Sequence, residues 1–495
     1  MRNFILRHER GFLRTMEIVP GLITWNVILF PYWGILVVPT VVAYYILIFN
    51  LYWFYQSFLI AVAAVVSHLR IQSTKKKNWL RELEKFPDWQ KVNHVVIIPT
   101  YKEPLHTLRR ALTSLAEQTL PREQIIPVIA MEARENKKER AKKVLALKEE
   151  FSKIFPRLTF TVHKLTKGEI IGKASNERHA ALVVKRNIGK NAMDMDYLTV
   201  TSSDADHVFH RKHFAVLTHK FLENPRRYLY FWQPVVMFYN NIWKLPAITR
   251  VTNSLSSIVV LSFLSRRDRL INQQNYSLSF KLLDEAGYWD PEKIPEDWGL
   301  FFKAFYKKGG KLEVDPIYLP LFADALESTS SLKTMKNQYS QIKRWAWGVS
   351  DFPWIMRNYL VTPGVPFWDK TTRLMNLLWA HLLWPVYWFA ITIGLNLSIL
   401  ISPEFGRTTL GFMIPKISSF ILTAALSFLV VLLALDHHYK PKRPKNFPRW
   451  RAALIPLEFV LMPVSGLIFG SLPALDAHTR LMLGRHITYK VTEKV

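Results

Sequence analysis

From Ile18 to Ser67 the chain carries no Asp, Glu, Lys, Arg or His. As one helix this stretch would reach about 75 Å at about 1.5 Å per residue, against a hydrocarbon core of about 30 Å. It is therefore expected to cross a membrane twice, as spans near 20–42 and 46–68, with Pro31, Gly34 and Pro39 in its early part. Three more apolar runs lie far downstream. The first is Leu374–Ser402, broken only by His381, and the second is Ile417–Leu435. The third, Ala452–Leu475, carries Glu458, Pro463, Gly466, Gly470 and Pro473. The expected role of Glu458 is structural, as a polar contact inside the helix bundle or a side chain reaching the interface.

Basic residues give these runs an orientation. Arg2, Arg7, Arg10 and Arg14 precede the first run, and Arg70, Lys75, Lys76 and Lys77 follow it, so both flanks read as cytoplasmic. Pro403–Thr409 holds only Glu404 and Arg407 and reads as outside. Lys440, Lys442, Arg443, Lys445, Arg449 and Arg451 return the chain inside. A single crossing by the last run would put Arg480, Arg485, Lys490 and Lys494 outside, against the charge rule. Its Pro and Gly content favours a re-entrant or interfacial segment. The first run is too long, and lacks a clear small-residue cleavage site, for a cleavable leader.

Segregation also accounts for the composition. Among 495 residues, 66 Lys and Arg stand against 38 Asp and Glu, a formal net charge of +28, yet 49 % of the chain is hydrophobic. Such apolarity excludes a mostly disordered chain. The absence of cysteine excludes disulfide scaffolds, Cys-ligated zinc, iron–sulfur clusters and a thiol nucleophile. Attraction to anionic lipid headgroups, about 1 kcal/mol per well-placed basic residue, is sufficient to explain the charge. Anionic membrane lipids are thus expected partners, and nucleic acid is not.

Between the apolar runs, residues 90–350 alternate strands and helices. Strands are expected at His94–Ile98, Ile125–Met131, Leu158–Val162 and Tyr197–Thr201. Helices are expected through Leu105, Leu108, Leu112 and Leu115, over Asn136–Phe151, and from Ala174 to Lys185. This order implies a mostly parallel open sheet, with ligands bound beyond the carboxyl ends of the strands. The polar residues there are Thr100, Tyr101 and Glu103, then Glu132, then Ser203, Asp204 and Asp206.

Four short patterns carry chemistry. Asp204-Ala205-Asp206 places two carboxylates in one turn, where both can approach a hard divalent ion, although such pairs also occur in ordinary acidic loops. Glu296-Asp297 opens a helix, so Asp297 is either a general base or an acidic cap. Gln341, Arg344 and Trp345 set an amide, a cation and an aromatic face on neighbouring helix positions. That group suits a sugar and a diphosphate, or equally an interfacial helix anchored by Arg and Trp. Lys173 and Asn176 open a helix and could hold a phosphate, or be plain surface.

In this order the patterns resemble the membrane-integrated family-2 glycosyltransferases, the group of cellulose, chitin and hyaluronan synthases. The resemblance rests on Ile98-Pro99-Thr100-Tyr101-Lys102-Glu103, Gly172-Lys173-Ala174-Ser175-Asn176, Asp204-Ala205-Asp206, Glu296-Asp297 and Gln341-x-x-Arg344-Trp345. It implies a GT-A domain, an α/β Rossmann-like fold with a mostly parallel sheet, inserted between transmembrane helices. It also implies a nucleotide-sugar donor, first of all a UDP-sugar, and a Mg²⁺ or Mn²⁺ cofactor. Thr100, Tyr101, Glu103 and Glu132 would then border the nucleotide, and Lys173 the diphosphate. Asp204 and Asp206 would hold the metal, or Asp204 would touch the nucleotide. Asp297 would deprotonate the acceptor, and Gln341, Arg344 and Trp345 would line the acceptor and diphosphate side. Where the family usually carries an aspartate pair after the second strand, this chain has Met131-Glu132-Ala133.

The expected organisation is a transmembrane hairpin (1–72), a cytoplasmic catalytic domain (73–350) and interfacial helices (351–372). Two transmembrane helices (373–436) and a basic loop with the last apolar segment and tail (437–495) follow. The expected activity is inverting sugar transfer to a glycan acceptor, with processive polysaccharide synthesis as its extension. Single addition to a lipid or polyprenyl phosphate is the alternative. A non-catalytic basic membrane protein would share the charge but leave the acidic cluster at the strand ends unexplained.

Overall fold

A computed structural model describes residues 1–189, 193–394 and 400–487. Lys490 and Lys494 of the tail, and 395–399 within the apolar run Leu374–Ser402, lie outside the described residues.

The four expected strands form as β1 (Asn93–Thr100), β2 (Ile125–Glu132), β3 (Thr159–His163) and β4 (Leu198–Ser202). Three further strands were not marked by the sequence pattern: β5 (Tyr230–Met237), β6 (Tyr276–Ser279) and β7 (Glu313–Phe322). The seven make one sheet in the order β3-β2-β1-β4-β6-β5-β7. β1 pairs in parallel with both β2 and β4, β2 with β3, and β5 with β7; β6 runs antiparallel to β4 and β5. Thus only β6 is reversed.

Helices cover the sheet, so β2, β4, β5 and β6 are buried along their whole length. The helix Leu105–Ala116 buries Leu108, Leu112 and Leu115, one stripe at helical spacing. Asn136 caps the helix Lys137–Phe151 by accepting from the N–H groups of Lys138 and Glu139. At the start of β1, His94 is fully buried between the hydroxyls of Thr199 (2.7 Å) and Thr218 (2.8 Å). Burial lowers its pKa to about 3, so it is a neutral core residue.

Among the described residues, five helical segments are long and apolar enough to cross a membrane: Glu9–Val37, Pro39–Lys76, Phe367–Thr392, Thr409–Tyr439 and Pro456–Met482. The hairpin turns at Val38, several residues before the expected break. Pro39 cannot join the hydrogen-bond ladder of the preceding helix, but it fits the first turn of a new one, where its missing N–H costs nothing. Pro20 and Pro31 are instead absorbed inside Glu9–Val37. At 38 residues Pro39–Lys76 is about 57 Å long, well beyond a hydrocarbon core of about 30 Å. The excess runs down the α/β domain: Ala64 and Ile71 join its main core, and Ser67 bonds Ser265 at 2.8 Å. The membrane-length helix and the sheet are therefore one packed body. The last apolar run forms a single helical stretch long enough to span.

Glu458, in that stretch, makes a two-pronged ion pair with buried Arg250, at 2.7 Å to Nε and 2.9 Å to Nη2. Arg250 lies on the apolar helix Ala247–Phe263, which connects β5 to β6. The structural contact expected of Glu458 is thus formed, with a partner from the α/β domain.

Candidate active site

β1 has β2 on one side and β4 on the other, so their carboxyl ends open a crevice at the point where strand order reverses. On the β2 side, Glu132 pairs with Arg134, whose guanidinium lies 4.5 Å over the ring of Tyr101. Burial raises the pKa of the Glu132 carboxyl, and Arg134 opposes the shift. The Thr100 hydroxyl is buried and makes no hydrogen bond among the described residues. Lys102, between Tyr101 and Glu103, has a left-handed backbone (φ +62°), which a lysine rarely adopts.

On the β4 side stands the acidic pair. The Asp324 N–H, just beyond β7, donates to Asp206 Oδ2 at 2.9 Å, and Asp324 is itself held by Arg110. The side chains of Asp204, Asp206 and His207 offer ligand atoms all within 4.8 Å of one another. His207 was not singled out from the sequence, although its place directly after the carboxylate pair marks it. Its Nδ1 accepts the Asp204 N–H at 3.1 Å, so the neutral imidazole presents Nε2–H. That edge lies 3.8 Å from Asp204 Oδ2. His207 therefore orients Asp204, and the two carboxylates are the donors that fit a hard divalent ion such as Mg²⁺ or Mn²⁺.

Lys173 is the hub. It opens the helix Lys173–Asn187, and its ammonium lies 2.9 Å from Asp204 Oδ1, 3.2 Å from Glu296 Oε1 and 3.8 Å from Glu177 Oε1. Burial alone would lower its pKa, but these carboxylates hold it well above the usual lysine value. It is not the surface lysine that composition allows. Glu177 lies one helical turn after Lys173, fully buried, and accepts from the Ser202 hydroxyl at 2.6 Å. Asn176, the other candidate at this helix start, is spent on structure: its amide donates to the Ala130 carbonyl at 2.7 Å.

Asp297 begins the helix Asp297–Lys307, as its position suggested. Its Oδ1 accepts the Trp298 N–H at 2.8 Å and its Oδ2 the Gln274 N–H at 3.2 Å. Burial, and then the neighbouring Glu296 charge, push its carboxyl up to about 7. Gln274 joins the two halves of the site, because its carbonyl accepts from Lys173 at 3.0 Å. It does so with φ +55°, a second left-handed non-glycine residue at the site. No side-chain pattern announces it, since the peptide group does the bonding.

Lys173, Asp204, Glu296, Asp297, Arg344 and Trp345 all border one cavity of about 1110 Å³. Gln341 does not; its side-chain oxygen faces Gln338 at 3.5 Å. Thr100, Tyr101, Glu103 and Glu132 also lie off this cavity, in the β1–β2 part of the crevice. From the acidic end the cavity continues between membrane-length helices, past Trp379, Tyr387 and Leu422.

No curated protein matches the chain in sequence. Among solved structures, it is similar to the mannosyltransferase PcManGT from Pyrobaculum calidifontis, in complex with GDP-Man and Mn²⁺. Identity is 16 %, covering 79 % of this chain and 98 % of that one, with a TM-score of 0.45. It is also similar to S. aureus TarS 1–349 in complex with UDP-GlcNAc, at 13 % identity, covering 81 % and 94 %, with a TM-score of 0.34. Residues 199–435, just under half of the chain, match the family described as "Glycosyl transferase family group 2", a stretch that contains Asp204, Asp206, Asp297, Gln341, Arg344 and Trp345.

Proposed function

We propose that the protein is a membrane-bound glycosyltransferase that moves a sugar, with inversion, from a nucleotide-sugar donor to a glycan hydroxyl. The α/β domain lies on the cytoplasmic side, where nucleotide sugars are made and where the basic flanks of the apolar runs belong. The observation that carries the reading is the convergence of Lys173, Asp204 and Asp297 on one cavity.

The roles follow from charge and placement. Thr100, Tyr101, Glu103 and Glu132 border the nucleoside in the β1–β2 crevice. Asp204 and Asp206 would hold a divalent ion, which supplies positive charge against the leaving diphosphate. Lys173 adds a second positive charge there and holds it in place without water. Asp297 takes the proton from the acceptor hydroxyl as its oxygen attacks the anomeric carbon. The new glycosidic bond forms as the bond to the diphosphate breaks. One carboxylate base suffices, since the leaving group is a stabilised diphosphate and needs no protonated acid, unlike a glycosidase. Trp345 offers the acceptor sugar a flat face and Arg344 a cation.

The test is a transfer assay with the full chain in lipid nanodiscs, run over a panel of UDP-, GDP- and ADP-sugars. Nucleoside diphosphate released from one of them, with its sugar found on an acceptor, is the expected result. No release from any donor would overturn the proposal and leave the non-catalytic reading.

A further inference from the structure

His381 is the one Asp, Glu, Lys, Arg or His in the apolar run Leu374–Ser402, and the chemistry above does not use it. It lies on the helix Phe367–Phe389, in a membrane-length segment where an ionisable side chain is costly and by default functional. The residue is 5 % exposed, and neither ring nitrogen has a hydrogen-bond partner among the described residues. His94 shows what a structural histidine looks like in this fold, since both of its nitrogens meet hydroxyls, those of Thr199 and Thr218. His213 also lacks partners, but it packs on the rings of Phe209 and Phe214 and does not border the cavity. His381 does border it.

Two parts of the candidate site meet at this ring. The first is Trp298, whose indole packs edge-on against it with 5.2 Å between centroids. Trp298 directly follows Asp297, and its N–H holds Asp297 Oδ1. The second is Gly348, which follows Arg344 and Trp345 in the chain. A Cβ at Gly348 would come within 3.3 Å of the imidazole Cε1, so the absent side chain is what lets the ring sit there. Asp297, Trp298, Arg344, Trp345 and Gly348 all border the same cavity as His381. The imidazole thus stands where the segment of the base, the segment of the aromatic face and a membrane-length helix converge.

The chemistry of the ring says what it can hold. A neutral imidazole has one N–H and one bare nitrogen, a donor and an acceptor. Buried without a partner, such a group loses its hydration and gains nothing, so on a cavity wall it marks a contact with the occupant. A hydroxyl both donates and accepts, and can answer either nitrogen. A phosphate or a carboxylate answers the N–H alone. The flat faces of Trp298 and Trp345 on the same wall suit the ring of a sugar.

We propose that His381 hydrogen-bonds a second hydroxyl of the acceptor sugar, so that the attacking hydroxyl is presented to Asp297. This rests on the transferase reading and adds to it a residue, carried on a membrane-length helix, that touches the acceptor and not the donor. Water is the competing acceptor, and it has no second hydroxyl for His381 to hold. Loss of the imidazole should therefore slow transfer far more than hydrolysis of the donor.

The test follows the fate of the donor sugar with the full chain in lipid nanodiscs, as sugar joined to acceptor against free sugar. His381→Phe keeps a ring against Trp298 but removes both nitrogens. Transfer should fall about tenfold or more and the KM for the acceptor should rise, while the donor KM and the release of free sugar stay within about twofold. His381→Gln, which keeps a donor and an acceptor, should recover part of the loss. His478→Phe, at the neighbouring ring 6.2 Å away, should leave the split between transfer and hydrolysis unchanged. Equal loss of transfer and hydrolysis in His381→Phe, or the same altered split in His478→Phe, would make His381 a packing residue and overturn the inference. A second readout needs no turnover. Protein labelled with nitrogen-15 histidine is titrated with tetrasaccharides of glucose, of mannose and of N-acetylglucosamine, and the His381 resonance is identified as the one lost in His381→Phe. One of the three should move that resonance, and no movement with any of them would overturn the inference. A protein that turns over a nucleotide sugar but fails these tests loses the His381 contact and keeps the transferase. One whose His381 resonance moves, but which releases no nucleoside diphosphate from any donor, loses the transferase and keeps a saccharide site at His381.

Discussion

The Lys173 ammonium stands 2.9 Å from Oδ1 of Asp204 and donates to the carbonyl of Gln274, whose own N–H donates to Asp297 Oδ2. One buried cation thus fixes the spacing between Asp204 and Asp297, the donor and acceptor sides of the proposed reaction. Glu177 and Glu296 complete its shell, so three carboxyl groups share this one positive charge. Lys173→Met should lower transfer by 100-fold or more and raise the KM for the donor. It should also cost about 3 kcal/mol of stability, because breaking a buried pair strands its partner charge. Steady-state kinetics and thermal unfolding of the same preparation check both effects.

Asp297 has a folded-state pKa raised to about 7, chiefly by burial. A base works only when deprotonated, so kcat/KM should rise with pH through an acid limb near neutrality and flatten above it. Asp297→Asn should remove about 10²- to 10⁴-fold of the rate and leave donor binding nearly intact. Residual activity in that variant should lack the acid limb. A wild-type profile flat from pH 5.5 to 8 would remove Asp297 from the role of base.

Two carboxylates, one of them oriented by His207, make a site that fits a hard ion. EDTA should therefore abolish donor turnover, and Mn²⁺ or Mg²⁺ should restore it. Asp206→Asn removes one ligand charge but keeps an oxygen to accept the Asp324 N–H, so the fold should survive while the metal concentration needed for half-activity rises at least tenfold. Activity that persists in EDTA would leave the pair an acidic loop.

Much of this was legible in sequence because it rests on short-range rules. Strands β1 to β4 have clear apolar runs, and the Lys173, Asp204 and Asp297 positions follow from what comes directly after a strand or opens a helix. The remaining strands hide for physical reasons. β5 contains Gln233 and Pro234, β6 is only four residues long, and β7 holds two prolines, so none displays a periodic apolar pattern. Gln341 fits its motif, yet its side-chain oxygen is taken by Gln338, its neighbour one turn earlier on the same helix face. Gln274 contributes only its peptide, and Arg250 pairs with a carboxylate 208 positions away; such contacts exist only once the chain is folded.

Arg250 is 1 % exposed, and its two-pronged pair with Glu458 joins the α/β domain to the last membrane-length segment. Buried pairs are costly to break and cheap to replace whole, because desolvation is paid twice and recovered only by mutual attraction. Arg250→Met alone leaves a carboxylate in an apolar setting, and Glu458→Leu leaves a guanidinium. Each should cost about 3–5 kcal/mol. The double variant Arg250→Met/Glu458→Leu should cost far less than the two together, with an interaction energy of about 2 kcal/mol or more. Unfolding of the four proteins in one detergent measures it. A result near zero would mean that water reaches the pair, and that the last segment is free to move against the α/β domain.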